Sequence, residues 1–176
     1  VGVNLPDGAF LQPSEDGAAA LGQMVAGALS DASAVADLYA GWGAFGLALA
    51  AMGKTVQAYE SDAAQIAALT AAARRAGLDQ KITGVERDLR HRPLAAIELN
   101  GLDGLVLDPP RAGAAKQVAE LAASSIPILV YVSCNPASFA RDARILVDGG
   151  YGLDQVTPID QFLWSPHVEL AAIFRR

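Results

Sequence analysis

Residues 104–108 and 128–133 are apolar runs without the polar alternation of a one-sided strand, and each ends abruptly in turn-forming residues. A strand of this kind buries both faces, and its usual setting is the centre of a parallel sheet covered by helices on either side. The rest of the chain fits that frame. Further strands are expected at residues 34–40, 55–60 and 82–87, alternating with helices at 45–52 and 63–76, the latter closed by Gly77. A leading helix is expected at 14–29, where Ser14 and Glu15 suit an N-terminus. Another begins at Asn135 as cap with Pro136 in its first position and runs to about 147, before Gly149 and Gly150. Residues 151–158 and 168–174 read as two late strands joined by a loop short enough for antiparallel pairing. An α/β domain results, with the two apolar strands at its centre.

With 176 residues and 52% hydrophobic side chains, the chain can bury the core of one ordinary domain. It has no apolar run of eighteen or more residues, and Val1-Gly2-Val3-Asn4 lacks the basic flank and apolar core of a secretory signal. A soluble, cytoplasmic protein without a membrane partner is expected. Thirteen basic against nineteen acidic residues give a net charge of −6, which argues against broad electrostatic binding of nucleic acid by these residues alone. One cysteine excludes an internal disulfide and a cysteine-based metal cluster, and no metal is expected.

Candidate functional residues gather at the carboxyl ends of the strands, where open α/β sheets bind their ligands. After the first strand comes Gly41-Trp42-Gly43-Ala44-Phe45-Gly46, a GxGxxG turn into a helix. Its glycines permit a tight turn and close approach to a ligand. Glu60, at the end of the second strand, is spaced to bind ribose hydroxyls, and Asp88 after the third is placed to contact an adenine. The alternative for Asp88 is a surface ion pair with Arg87, Arg90 or Arg92. NAD and S-adenosylmethionine both suit such a turn. Asp108-Pro109-Pro110-Arg111 favours the second, because a dehydrogenase has no need of a rigid proline loop between cofactor and target.

Cys134 ends the fifth strand in Ser133-Cys134-Asn135-Pro136, where the amides of the following helix favour a thiolate. A lone cysteine is ordinarily a small buried residue, but this setting beside the DPPR loop suits covalent attack on a planar base. Such a nucleophile needs a proton acceptor. Glu169 can reach the same rim and, if desolvated, serve as a general base; otherwise it is solvated or pairs with Arg175 or Arg176.

Together these blocks resemble the bacterial RNA uracil-5-methyltransferases that act on tRNA or 23S ribosomal RNA. The matching stretches are Asp37-Leu38-Tyr39 with the glycine turn, Leu107-Asp108-Pro109-Pro110-Arg111-Ala112-Gly113, Tyr131-Val132-Ser133-Cys134-Asn135-Pro136, and Asp160-Gln161-Phe162 leading to Ser165-Pro166-His167-Val168-Glu169. Phe10-Leu11-Gln12 resembles the family's lead-in to its catalytic domain. The resemblance implies the class I S-adenosylmethionine-dependent methyltransferase fold, Rossmann-like, with a seven-stranded, mainly parallel sheet and an antiparallel last strand. It also implies S-adenosylmethionine as cofactor, RNA as partner, Cys134 as nucleophile and Glu169 as base. Gln12, Tyr39, Gly41, Gly43, Glu60, Asp88 and Asp108 would hold the cofactor, and Pro109 and Arg111 would position the RNA base.

Ala44 and Ala40 depart from the family's usual polar residue and cysteine, which implies altered cofactor affinity. Members usually carry an N-terminal oligonucleotide-binding barrel, some with an iron-sulfur cluster, that these residues do not include. The expected organisation is therefore an opening loop and leading helix at 1–30 and a catalytic domain at 31–176, forming one domain whose RNA affinity resides elsewhere. Two other readings remain at this stage: a methyltransferase acting on an amino group, and a nucleotide-binding module without catalysis. Oligomeric state is left open.

Overall fold

The structure, a computed structural model, describes residues 1–5, 12–162, 164–165 and 168–176. Phe10, Leu11, Pro166 and His167, which belong to the stretches quoted above, lie outside them. The elements run α1 (Glu15–Ala28), β1 (Ala34–Leu38), α2 (Ala44–Ala51), β2 (Thr55–Glu60), α3 (Ala63–Arg75) and β3 (Ile82–Glu86). A 3-10 turn at Ala96–Leu99 precedes β4 (Gly104–Leu107), α4 (Ala115–Ala123), β5 (Ile128–Ser133), α5 (Pro136–Asp148), β6 (Gly152–Ile159) and β7 (Glu169–Arg175). Among the described residues no helix is long and apolar enough to cross a membrane.

Among the described residues seven strands form one sheet in the order β3-β2-β1-β4-β5-β7-β6, so β4 lies at its centre and β5 next to it, as their unbroken apolar character requires. Only β7 runs against the rest, inserted antiparallel between β5 and β6. The expected late pair does form. Because both of its partners oppose β7, however, β6 points the same way as the first five strands.

Side-chain alternation along β5 explains the double burial. Val130 and Val132 face a core shared with α1, α2 and α3, including Leu21, Val25, Leu47 and Leu69. Leu129 and Tyr131 face a second core with Val118 and Leu121 of α4 and Phe139 and Leu146 of α5. Losing one such leucine to alanine costs roughly 2–5 kcal/mol.

Caps set the helix ends largely as the residues foretell. Ser14 Oγ accepts the Gly17 amide at 3.0 Å, and Asn135 Oδ1 accepts the Ala137 amide at 3.0 Å with Pro136 in the first turn. Unforeseen were the 3-10 turn and α4. The latter has no side-chain cap of its own, and its start is held instead by Asp142 of α5, which accepts the Ala114 amide at 2.7 Å. Strand β1 stops at Leu38, two residues short of expectation, because Tyr39 turns into the left-handed region at φ 60°.

Candidate active site

The sheet order reverses between β1 and β4, and the loops leaving their carboxyl ends diverge there to open a crevice. On the β1 side, the Ala40 amide donates to the Tyr59 carbonyl at 3.0 Å, and the Gly43 amide turns back to Ala40 at 2.8 Å. Gly43 sits at φ 92°, and a Cβ there would lie 2.8 Å from Leu69. Its role is to close the turn, and it is the one predicted site residue that does not line the cavity described below. At Gly46 a Cβ would lie 2.8 Å from Asp37 Oδ2, the atom that accepts the Gly46 amide at the same distance. Helix α2 is thereby drawn onto the sheet. Burial pushes the Asp37 carboxyl up to about 7 despite that hydrogen bond, and the charges of Asp108 and Glu60 add to the effect.

Glu60 is fixed at the end of β2 by both oxygens. Its Oε2 accepts the Gly41 amide at 3.1 Å, and Oε1 accepts Ser61 N, Ser61 Oγ and Asp62 N at 2.6, 2.9 and 3.0 Å. Asp88 follows β3 and does not form the arginine pair that was the alternative reading for it. Instead it closes a turn, accepting the Arg90 and His91 amides and meeting His91 Nδ1 at 2.6 Å. Arg87 is engaged elsewhere, on Glu98 at 2.7 Å.

The DPPR loop is fastened to the start of α5. Asn135 Nδ2 donates to the Arg111 carbonyl at 2.9 Å, and Arg141 donates to the Ala112 carbonyl at 2.9 Å and to Asp142. Asp142, fully buried, also accepts the Tyr131 hydroxyl at 2.7 Å. Cys134 stands half-buried beside this loop. Its environment opposes the thiolate that the helix start alone favours: burial, then the negative charges of Glu169 and Asp108, push the thiol up, against the backbone and Arg111.

Glu169, the first residue of β7, is buried at 2% exposure and pairs with neither Arg175 nor Arg176. Arg175 meets Asp154 at 2.9 Å, and Arg176 binds backbone carbonyls. Burial and the Asp108 charge push Glu169 up to about 7, while a Gln161 amide hydrogen works the other way. Burial alone pushes Asp108 up to about 7. Gln161 is a residue whose side chain sequence reasoning did not assign. Its only signal was membership of the Asp160-Gln161-Phe162 block.

The loops at this end of the sheet enclose one cavity of about 650 Å³. Gln12, Tyr39, Gly41, Glu60 and Asp88 line it together with Asp108, Pro109, Arg111, Cys134 and Glu169. Trp42, Phe45 and Tyr59 supply flat apolar wall. Two carboxyls poised near neutrality and a thiol therefore face one space. Such a space favours a cationic ligand next to a flat one and can move a proton at neutral pH.

Comparison with known proteins agrees with this geometry. The family model described as tRNA (Uracil-5-)-methyltransferase matches residues 3–176. The chain is 53% identical over 173 residues to an uncharacterized RNA methyltransferase of Mesorhizobium japonicum, covering 98% of this chain and 42% of the relative. It is 36% identical to the 23S rRNA (uracil(1939)-C(5))-methyltransferase RlmD of Alteromonas naphthalenivorans, over 98% of this chain and 39% of the relative. The tRNA (uracil-54, C5)-methyltransferase of Pyrococcus abyssi, solved with S-adenosyl-L-homocysteine, superposes with a TM-score of 0.82 at 30% identity. That match covers 95% of this chain and 40% of the other. The fold is that of the class I methyltransferases, and the chain spans about two fifths of the length of these relatives.

Proposed function

Because the chain belongs to the tRNA (uracil-5-)-methyltransferase family, we propose that it catalyses transfer of a methyl group from S-adenosylmethionine to C5 of a uridine in tRNA or 23S ribosomal RNA. The observation that carries this reading is the meeting of Cys134, Glu169 and Asp108 with the glycine turn and Glu60 in one cavity.

The residues present fit the cofactor. Glu60 is held with its carboxylate at the glycine turn, the position of a ribose acceptor, and the acidic, water-poor wall of Asp108 and Glu169 suits a positive sulfonium and ammonium. Gln12 and Tyr39 complete that side of the cavity, and Asp88 borders it. When bound, S-adenosylmethionine supplies an electrophilic methyl group.

C5 of uracil is a weak nucleophile until C6 is attacked. The Cys134 thiolate forms a bond to C6, and the electrons of the C5–C6 double bond move toward O4, giving C5 the character it needs to be alkylated. After methylation C5 carries both the new methyl and its original hydrogen. The Glu169 carboxylate takes that proton, the double bond re-forms, and Cys134 leaves as thiolate. Arg111 and Pro109 hold the base, which must leave its stack to reach both groups. RNA is gripped by regions of the protein other than this acidic domain.

The test is transfer of a labelled methyl group to uracil in RNA. Cys134→Ala abolishes it, and 5-fluorouracil RNA traps a covalent adduct because C5 then has no proton to lose. Full activity of Cys134→Ala would remove the covalent mechanism. Methylation of an amino group, or calorimetric binding of NAD in preference to S-adenosylhomocysteine, would overturn the reading as a whole.

A further inference from the structure

Gln161 stands between the two halves of the cavity without lining it. It is 4% exposed, and its Nε2 donates to Gln12 Oε1 at 2.6 Å and to Glu169 Oε2 at 3.4 Å. An amide nitrogen has two hydrogens, and both are committed, one to each side. In this orientation the amide donates to both; turned by itself the other way it would set its oxygen against Gln12 Oε1 and against an ionised Glu169. Its Oε1 has no partner among the described residues and points at α1, where a Cβ on Gly17 would collide with it. The first turn of α1 thus provides, through a missing side chain, the space that seats this amide. A buried amide oxygen without a partner is costly, by roughly 1–3 kcal/mol.

We propose that Gln161 is a positioning residue that couples the methyl-donor side of the cavity to the proton acceptor, holding Gln12 and Glu169 through one amide group. The inference rests on the reading of Glu169 as base and Gln12 as cofactor ligand. The charged groups acting on Glu169 are Asp108 at the end of β4 and Cys134 at the end of β5, and Arg111 acts on Cys134 in turn. Both Asp108 and a Cys134 thiolate disfavour a second negative charge at Glu169. The Gln161 hydrogen is the contact that favours it, so its loss makes Glu169 harder to ionise. Gln12 loses its anchor in the same step.

Gln161→Met keeps the volume and removes both hydrogens. In the catalytically active protein, the acidic limb of the kcat–pH profile should move up by about one unit, with rate recovered at higher pH, while KM for S-adenosylmethionine rises several-fold. A merely structural residue would lower activity evenly across pH. Two readouts need no turnover: a carbon NMR titration of the Glu169 carboxyl, expected to move upward, and calorimetry of S-adenosylhomocysteine, expected to weaken. Gly17→Ala, which displaces the amide without touching it chemically, should shift both in the same direction and carries the test if Gln161→Met fails to fold. An unmoved Glu169 titration in folded variants overturns the coupling and leaves the reaction intact. Undiminished turnover by Glu169→Gln overturns the base assignment itself, and the coupling with it.

Discussion

Asn135 binds the Arg111 carbonyl with one atom of its side-chain amide and caps α5 with the other, at 2.9 and 3.0 Å. The residue next to the thiol therefore also sets the loop that faces it. The two contacts can be separated. Asn135→Asp keeps the capping oxygen and loses the donor; Asn135→Ala loses both. The alanine variant should be less stable by about 1 kcal/mol, the usual worth of a cap, whereas the aspartate variant should unfold at nearly the parent urea concentration. Both should lose methyl transfer about tenfold or more, since small misplacements of reacting groups carry that order of cost. Urea denaturation beside a transfer assay checks this. Equal activity in parent and Asn135→Asp would show that the loop tie is dispensable.

Cys134 should be a sluggish thiol in the free protein. Burial and the charges of Glu169 and Asp108 push it up from the ordinary thiol value, so its alkylation rate should keep rising above pH 9. A cation placed among those carboxylates reverses their effect. An analogue of the methyl donor with an ammonium in place of the sulfonium should therefore speed alkylation by iodoacetamide at pH 8, and S-adenosylhomocysteine, whose sulfur carries no charge, should do so less. Alkylation that already levels off below pH 8 in the free protein would contradict the role of the carboxylates.

The contrast between what residues foretell and what the fold adds is clear at this thiol. Cys134, Asp108 and Glu60 were legible because each ends a strand whose apolar pattern is local. The thiol's electrostatics were not, because the opposing charges arrive from β4 and β7. Helix α4 went unread for a similar reason: its start depends on Asp142, 28 residues away. Asp88 drew a turn and His91 instead of the arginines, and Arg87 is taken by Glu98. Gln161 shows the limit most plainly. Its neighbours Gln12 and Gly17 stand about 150 residues earlier, and no spacing rule connects them.

Stability of the free protein should fall as pH rises from about 4 to about 7. Asp37, Asp108 and Glu169 all hold their protons more tightly in the folded state than an unfolded chain does. In that window the native protein binds more protons than the unfolded one, so each added pH unit removes stability, on the order of 1 kcal/mol per group. Glu98 works in the opposite sense, but its carboxyl is held down to about 2 by Arg87, which places its contribution below the window. Asp37→Asn retains an oxygen for the Gly46 amide and removes the titration, and should flatten the slope. Urea midpoints at pH 5, 6, 7 and 8 measure it, and a parent slope that rises over this range would rule out the buried-acid account.

Two alanine substitutions in the glycine turn should fail differently. At Gly43 an added Cβ meets the flexible end of Leu69 at 2.8 Å, but the residue must also hold φ 92°, which costs a non-glycine residue roughly 1–2 kcal/mol. At Gly46 the backbone is unstrained and the Cβ instead strikes Asp37 Oδ2 at 2.8 Å and Ile82 at 3.0 Å. Gly43→Ala should therefore lose a similar amount of stability at any pH. Gly46→Ala should push the Asp37 carboxylate off the amide that stabilises its charge, making the loss larger above pH 7 than at pH 5. Parallel pH dependences for the two variants would show that Asp37 does not respond to the position of α2.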